Sequence, residues 1–210
     1  MKTIIRLLTV LALALATFSL PTTAWAASVF NFKGQSADAF FFSIDPSECI
    51  LTDVFLFASE QTFQNPPGPG IPSSGTGLFI SQFDVCAGAQ LLAADGFASL
   101  AGPDFQVNRT LNAATLNATV NVFDFVSGTS FDVDVNLTWT GTGPLARQNG
   151  HFHFQSPGCI SNGSFSGTFR SATASGSVSD GATNFTPAPS VFASVGSARS
   201  GGVTVGCGLG

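Results

Sequence analysis

The stretch SFDVDVNLTWT, residues 130–140, decides the fold class. Phe131, Val133, Val135, Leu137 and Trp139 alternate without a break with Asp132, Asp134, Asn136, Thr138 and Thr140. Successive side chains on a strand point to opposite faces, so this period of two puts one face on a core and the other in water. A helix would repeat its apolar residues every three or four positions, and no window of the chain sustains that repeat.

Outward from this stretch, similar runs recur along the chain: SVFNFKG, ADAFFFSI, ILTDVFLFAS, GLFISQFDVC, QLLAADGFASL and TLNATVNVFDF before it, and GHFHFQS, GSFSGTFR, ATASGSVS and GVTVG after it. Gly, Pro, Asn, Asp and Ser clusters separate them. Many short strands with frequent turn signals predict an all-β fold, an antiparallel β-sandwich, with a β-barrel as the alternative. The N-terminal runs differ from the rest. Phe40, Phe41 and Phe42 are consecutive and ILTDVFLFA is apolar on both sides, which predicts strands covered on both faces. Residues 60–77, EQTFQNPPGPGIPSSGTG, concentrate prolines and glycines that frustrate pairing, and read as a long surface loop suited to partner contact.

The chain opens with Lys2 and Arg6, an apolar run from Leu7 to Leu20, a break at Pro21, and small residues at Ala24 and Ala26. That order predicts a secretory signal peptide over residues 1–26, cleaved between Ala26 and Ala27. The apolar run is short for a membrane span, and no stop-transfer pattern follows it. Residues 27–210 are then one secreted, extracellular domain of ordinary size. Cys49, Cys86, Cys159 and Cys207 predict two disulfides in that compartment. Three connectivities are open; adjacency of neighbouring strands favours Cys49 with Cys86 and Cys159 with Cys207. No C-x-x-C pair supports a zinc site in their place.

Removing Lys2 and Arg6 from the formal net charge of −5 takes it to −7, with Lys33, Arg109, Arg147, Arg170 and Arg199 as the remaining basic residues. So sparse a basic set argues against nucleic acid or an anionic membrane as partner. The 22 phenylalanines against no tyrosine speak against a sugar-stacking platform, because Phe lacks a polar edge. They read mostly as core, with a surplus available for an apolar surface patch.

Little else resembles chemistry. His151 and His153 in HFHF share one strand face, where a divalent metal could be held if Asp132 and Asp134 supplied carboxylates from a neighbouring strand. The competing reading puts Phe152 and Phe154 in the core and the histidines in water. Asp132, Asp134 and Asn136 match the opening of an EF-hand loop, but Leu137 stands where glycine is required and Gly143 where glutamate is required. No G-x-S-x-G elbow occurs, and Glu48 in IDPSEC reads as a turn residue rather than a catalytic acid. The sequence therefore predicts no cofactor and no catalytic residue. It describes a secreted, non-catalytic β-sandwich with a binding or structural role at or outside the cell surface, acting on an extracellular partner or by self-association. A barrel carrying an apolar small molecule between its phenylalanines is the alternative, and a metal-dependent enzyme built on His151 and His153 comes third.

Overall fold

The computed structural model describes residues 27–65, 68–156 and 158–205. Ten strands follow in chain order: β1 (Ala27–Ile44), β2 (Ile50–Gln64), β3 (Gly70–Asp84), β4 (Ala89–Ser99), β5 (Phe105–Val107), β6 (Ala113–Asp124), β7 (Thr129–Gly141), β8 (Ala146–Ser156), β9 (Cys159–Ser179) and β10 (Phe192–Val205). The expected all-β, antiparallel, disulfide-containing class is what the chain forms. Its pairings run β10-β1-β2-β3-β4-β6-β7-β9, and β9 also pairs with β10, so eight strands make a ring within one sheet. The ring closes because β9 changes neighbours along its length: residues 172–179 pair with β7, and residues 160–171 pair with β10. The hairpin strand β8 lies outside the ring, on the free edge of β9.

Aspartates set the turns. Asp45 accepts backbone N–H groups of Ser47, Cys49 and Ile50, which fixes the β1–β2 hairpin and leaves Glu48 in the left-handed region at φ 59°. Glu48 is thus a turn residue, as its sequence context implies. Asp84 receives Cys86 and Ala87, and Asp180 receives Ala182 and Thr183. Many of the carboxylates of this acidic chain are therefore spent on holding loops.

Inside the ring, alternation delivers Val133, Val135, Leu137 and Trp139 from β7 to face Val54, Leu56 and Ala58 from β2 and Ala37, Ala39 and Phe41 from β1, all buried. Trp139 is fully buried and its Nε1–H donates to the Asp38 carbonyl at 2.8 Å, tying β7 to β1. Small residues at Ala58, Ala94, Ala114, Ala174 and Ala193 recur among these inward positions. An eight-strand ring is only just wide enough for side chains to fill, so alanine and valine suit it and phenylalanine mostly does not.

That constraint corrects three expectations. The phenylalanines are not mostly core: Phe41, Phe105 and Phe185 are buried, while Phe42, Phe55, Phe57, Phe79, Phe83, Phe97 and Phe123 stand on the outer surface. The N-terminal strands are covered on one face only, and their phenylalanines line no interior space for an apolar ligand. Residues 60–77 are not a long loop: β2 runs on to Gln64 and β3 begins at Gly70. Pro72 is tolerated opposite Thr62 because β4 pairs with β3 only from Gly75 onward, so the far edge of Gly70–Ser74 has no strand partner for a proline to disrupt.

Candidate functional site

Two surfaces stand out, on opposite faces of the same strands. The first is the outer face of the ring. The registers place Phe192, Phe40, Phe55, Phe79, Asp95 and Phe123 in one cross-strand row over β10, β1, β2, β3, β4 and β6. Phe57 and Phe97 flank the row on either side of Gly77, where a Cβ would sit 2.3 Å from the Phe57 ring. The glycine is needed for the ring to lie down over it. Asp38, Asp53 and Asp95 supply the charge beside this row, and among the described residues no basic side chain joins them.

The second surface is the inner face beyond the apolar core. Past Ala37, Ala58 and Val195 the inward positions turn polar, and neither sheet face is buried there. Cross-strand registers assemble rows of Glu60, Gln35, Ser197, Thr168 and Arg147, then Thr62, Lys33, Arg199, Ser166 and Asn149, then Gln64, Asn31, Gly201, Ser164 and His151. The curl of the sheet makes them an open groove of about 490 Å³ between β2 and β9, with a neighbouring hollow of about 300 Å³ beside His151. On the outer side of this region Phe152, Gly163, Gly202 and Phe30 form another row, and the two rings stack over the glycines at 6.5 Å between centroids.

The histidines and aspartates singled out by sequence do not meet. His151 faces Ser164 and His153 faces Asn162 on the first half of β9, whereas Asp134 faces Ser179 at its far end. From Ser164 to Ser179 is on the order of 50 Å along the strand. Asp132 instead accepts Asn121 Nδ2 and Asp134 accepts Thr119 Oγ1, each at 2.7 Å on the exposed outer face. The EF-hand-like spacing is thus ordinary strand alternation. His153 Nδ1 lies 2.5 Å from Asn162 Oδ1, which requires the proton on Nδ1. Phe152 and Phe154 do not enter the core: Phe152 is half-buried on Phe30, and Phe154 is 58% exposed. Among the described residues the one grouping with metal-ligand geometry is Cys49, Asp84 and Cys86, and it is consumed by the Cys49–Cys86 disulfide.

That disulfide joins the β1–β2 and β3–β4 turns, as strand adjacency implies. Cys159 is also oxidised. Cys207, its expected partner, and residues 1–26, the expected leader, lie outside the described residues. No helix among the described residues is long and apolar enough to cross a membrane. The groove cations escaped sequence reading because Lys33 and Arg199 are far apart in the chain and meet only through the β1–β10 register. The one local signal was that residues on both sides of Lys33 alternate in phase with Ala37, Ala39 and Phe41.

No protein-family model and no curated protein matches the chain. Among solved structures it is similar to a Nitrosomonas europaea protein described as a candidate AttH, at 10% identity and a TM-score of 0.28, over 87% of this chain and 52% of that one. The chain spans about half the length of that protein, and a likeness at this score carries no argument about fold or function.

Proposed function

We propose that the protein is an exported, non-catalytic β-domain with a binding or structural role at or outside the cell surface, and that it works by self-association through its outer phenylalanine row. The leader-like residues 1–26 and the oxidised cysteines support export. The observation that carries association is the row Phe192-Phe40-Phe55-Phe79-Asp95-Phe123, in which Phe55, Phe79 and Phe123 are each more than 40% exposed. Monomeric proteins seldom present so many phenylalanines in one strip to water. Two copies packed face to face would bury like against like in a self-complementary contact. A partner recognised by charge would find only carboxylates here. Among the described residues, His151 stands opposite Ser164 and His153 opposite Asn162, with no carboxylate across from either ring, so the non-catalytic reading is the one we favour.

Sedimentation velocity across a concentration series tests the reading. The wild-type chain is expected to form concentration-dependent dimers that strengthen with salt, because screening relieves repulsion among Asp38, Asp53 and Asp95. The double variant Phe55→Ser/Phe79→Ser should associate about tenfold more weakly or worse while keeping its circular dichroism. A wild-type chain that stays monomeric at every concentration, or a variant that dimerises unchanged, would overturn it.

A further inference from the structure

We infer that the polar groove on the inner face is a binding site for a small oxyanion-bearing, hydroxyl-rich ligand, with Lys33 and Arg199 as its anion clamp. The groove lies on the opposite face of the sheet from the phenylalanine row, so this site stands or falls independently of self-association.

The first support is the distribution of charge. Beyond the leader, the basic residues are Lys33, Arg109, Arg147, Arg170 and Arg199 in a chain of net negative charge. All except Arg109 project from the inner face, given the registers and the inward alternation of Ala37, Val195 and Ala174. Of these, Lys33 and Arg199 line the groove, while the guanidinium of Arg170 is engaged by Asn112.

The second support is a cost with no structural return. Lys33 and Arg199 are direct cross-strand partners on one face, with Cβ atoms about 5 Å apart by sheet geometry, and like charges so placed destabilise a sheet. Neither makes an ion pair among the described residues. In their own row the neighbours are Thr62, Ser166 and Asn149, all uncharged; Glu60, diagonal to Lys33 on β2, is the one carboxylate of the groove lining, and it leaves the two cations in excess. An oxyanion seated between the ammonium and the guanidinium would convert the repulsion into two charge-assisted contacts, the guanidinium binding two oxygens at once.

The third support is the lining. Gln35, Thr62, Ser166, Thr168 and Ser197 surround the cation pair with hydroxyl and amide groups, and about 490 Å³ is room for a small molecule. Among the described residues no phenylalanine or tryptophan lines the groove itself, and Phe165 borders only the adjoining hollow, so recognition in the groove rests on hydrogen bonds and charge rather than stacking. His151 and Arg199 share the adjoining hollow, which extends the donor surface toward β8.

The test uses the purified chain from residue 27, with inorganic phosphate, glucuronate and neutral glucose as probes, titrated at constant ionic strength and followed by calorimetry and thermal melting. Phosphate and glucuronate should each bind and raise Tm, glucuronate more tightly because its hydroxyls meet the Ser and Thr lining, and glucose should not bind measurably. Lys33→Gln and Arg199→Gln should each weaken both anions at least about tenfold, the order of magnitude of a lost charge-assisted contact. Their ligand-free Tm at low salt should equal or exceed that of wild type, because each removes a repulsion; a merely structural role would lower it. Arg109→Gln, outside the groove, should leave binding unchanged. Absence of anion binding, equal binding of glucose, or equal weakening by Arg109→Gln would overturn the assignment.

Discussion

The two ends of the ring use the same strands to opposite effect. At one end, the inward positions of β1, β2 and β10 carry Ala37, Val54, Leu56, Ala58 and Val195, all buried to within 1% exposure. At the other, the same alternation carries Asn31, Lys33, Gln35, Glu60, Thr62 and Arg199, and every described side chain of β8 is at least partly exposed. Backbone hydrogen bonding is continuous through both. The contrast separates what holds a sheet together from what stabilises it: the ladder extends wherever registers match, but folding free energy concentrates where apolar area leaves water. The open end is therefore the inexpensive place to keep charges and a ligand.

The contrast breaks most visibly at Trp139. Trp139→Ala should lower unfolding free energy by about 3–5 kcal/mol, through the cavity and the lost hydrogen bond to the Asp38 carbonyl, while Phe154→Ala at the open end should cost well under about 1 kcal/mol. Chemical denaturation of the two variants measures both. If the costs were similar, the two ends would not differ in the way the burial pattern implies.

A smaller effect, visible in acid, belongs to the sealed end. Asp124 is buried to 5% exposure at the close of β6. Burial pushes its pKa up, but hydrogen bonds from the Ser127 side chain and the N–H groups of Val126, Ala93 and Ser127 outweigh it and hold the carboxyl at about 2, below the ordinary 3.8. A depressed folded-state pKa adds stability that is fully present above pH about 4 and is lost as pH falls toward 2. The loss is on the order of 2 kcal/mol. Asp124→Asn should abolish that part of the acid sensitivity, read as a flatter Tm between pH 4 and 2, and should leave the open-end exchange behaviour unaltered.

Sequence alone carried the class and much of the sealed end. SFDVDVNLTWT reads residue by residue as β7, with Val133 to Trp139 inward and Asp132 to Thr140 outward. The adjacency rule was enough for Cys49 with Cys86. The direction of the phenylalanines was not legible, since Phe40, Phe41 and Phe42 fit either facing, and only the narrow ring decides that Phe41 goes in. The extent of β10 was missed for a related reason. SVGSARSGG resembles a linker in composition, yet β1 and β9 pair with it on both edges, and the ladder on two sides compensates for poor propensity. HFHF implies either a histidine site or a core beneath Phe152 and Phe154, and neither forms there, because alternation reveals which side chains share a face and not what lies opposite that face. The groove required long-range register, which no local pattern encodes.

Amide hydrogen exchange resolved by residue bears most directly on the division of the molecule into a sealed and an open end. Residues 52–58, 116–122 and 133–139 should exchange only through global unfolding, while residues 146–156, 160–168 and 198–205 should open at much lower free energy although each lies in a paired strand. Equal protection in both sets would contradict the division and, with it, the placement of a ligand groove on a soft, two-sided sheet.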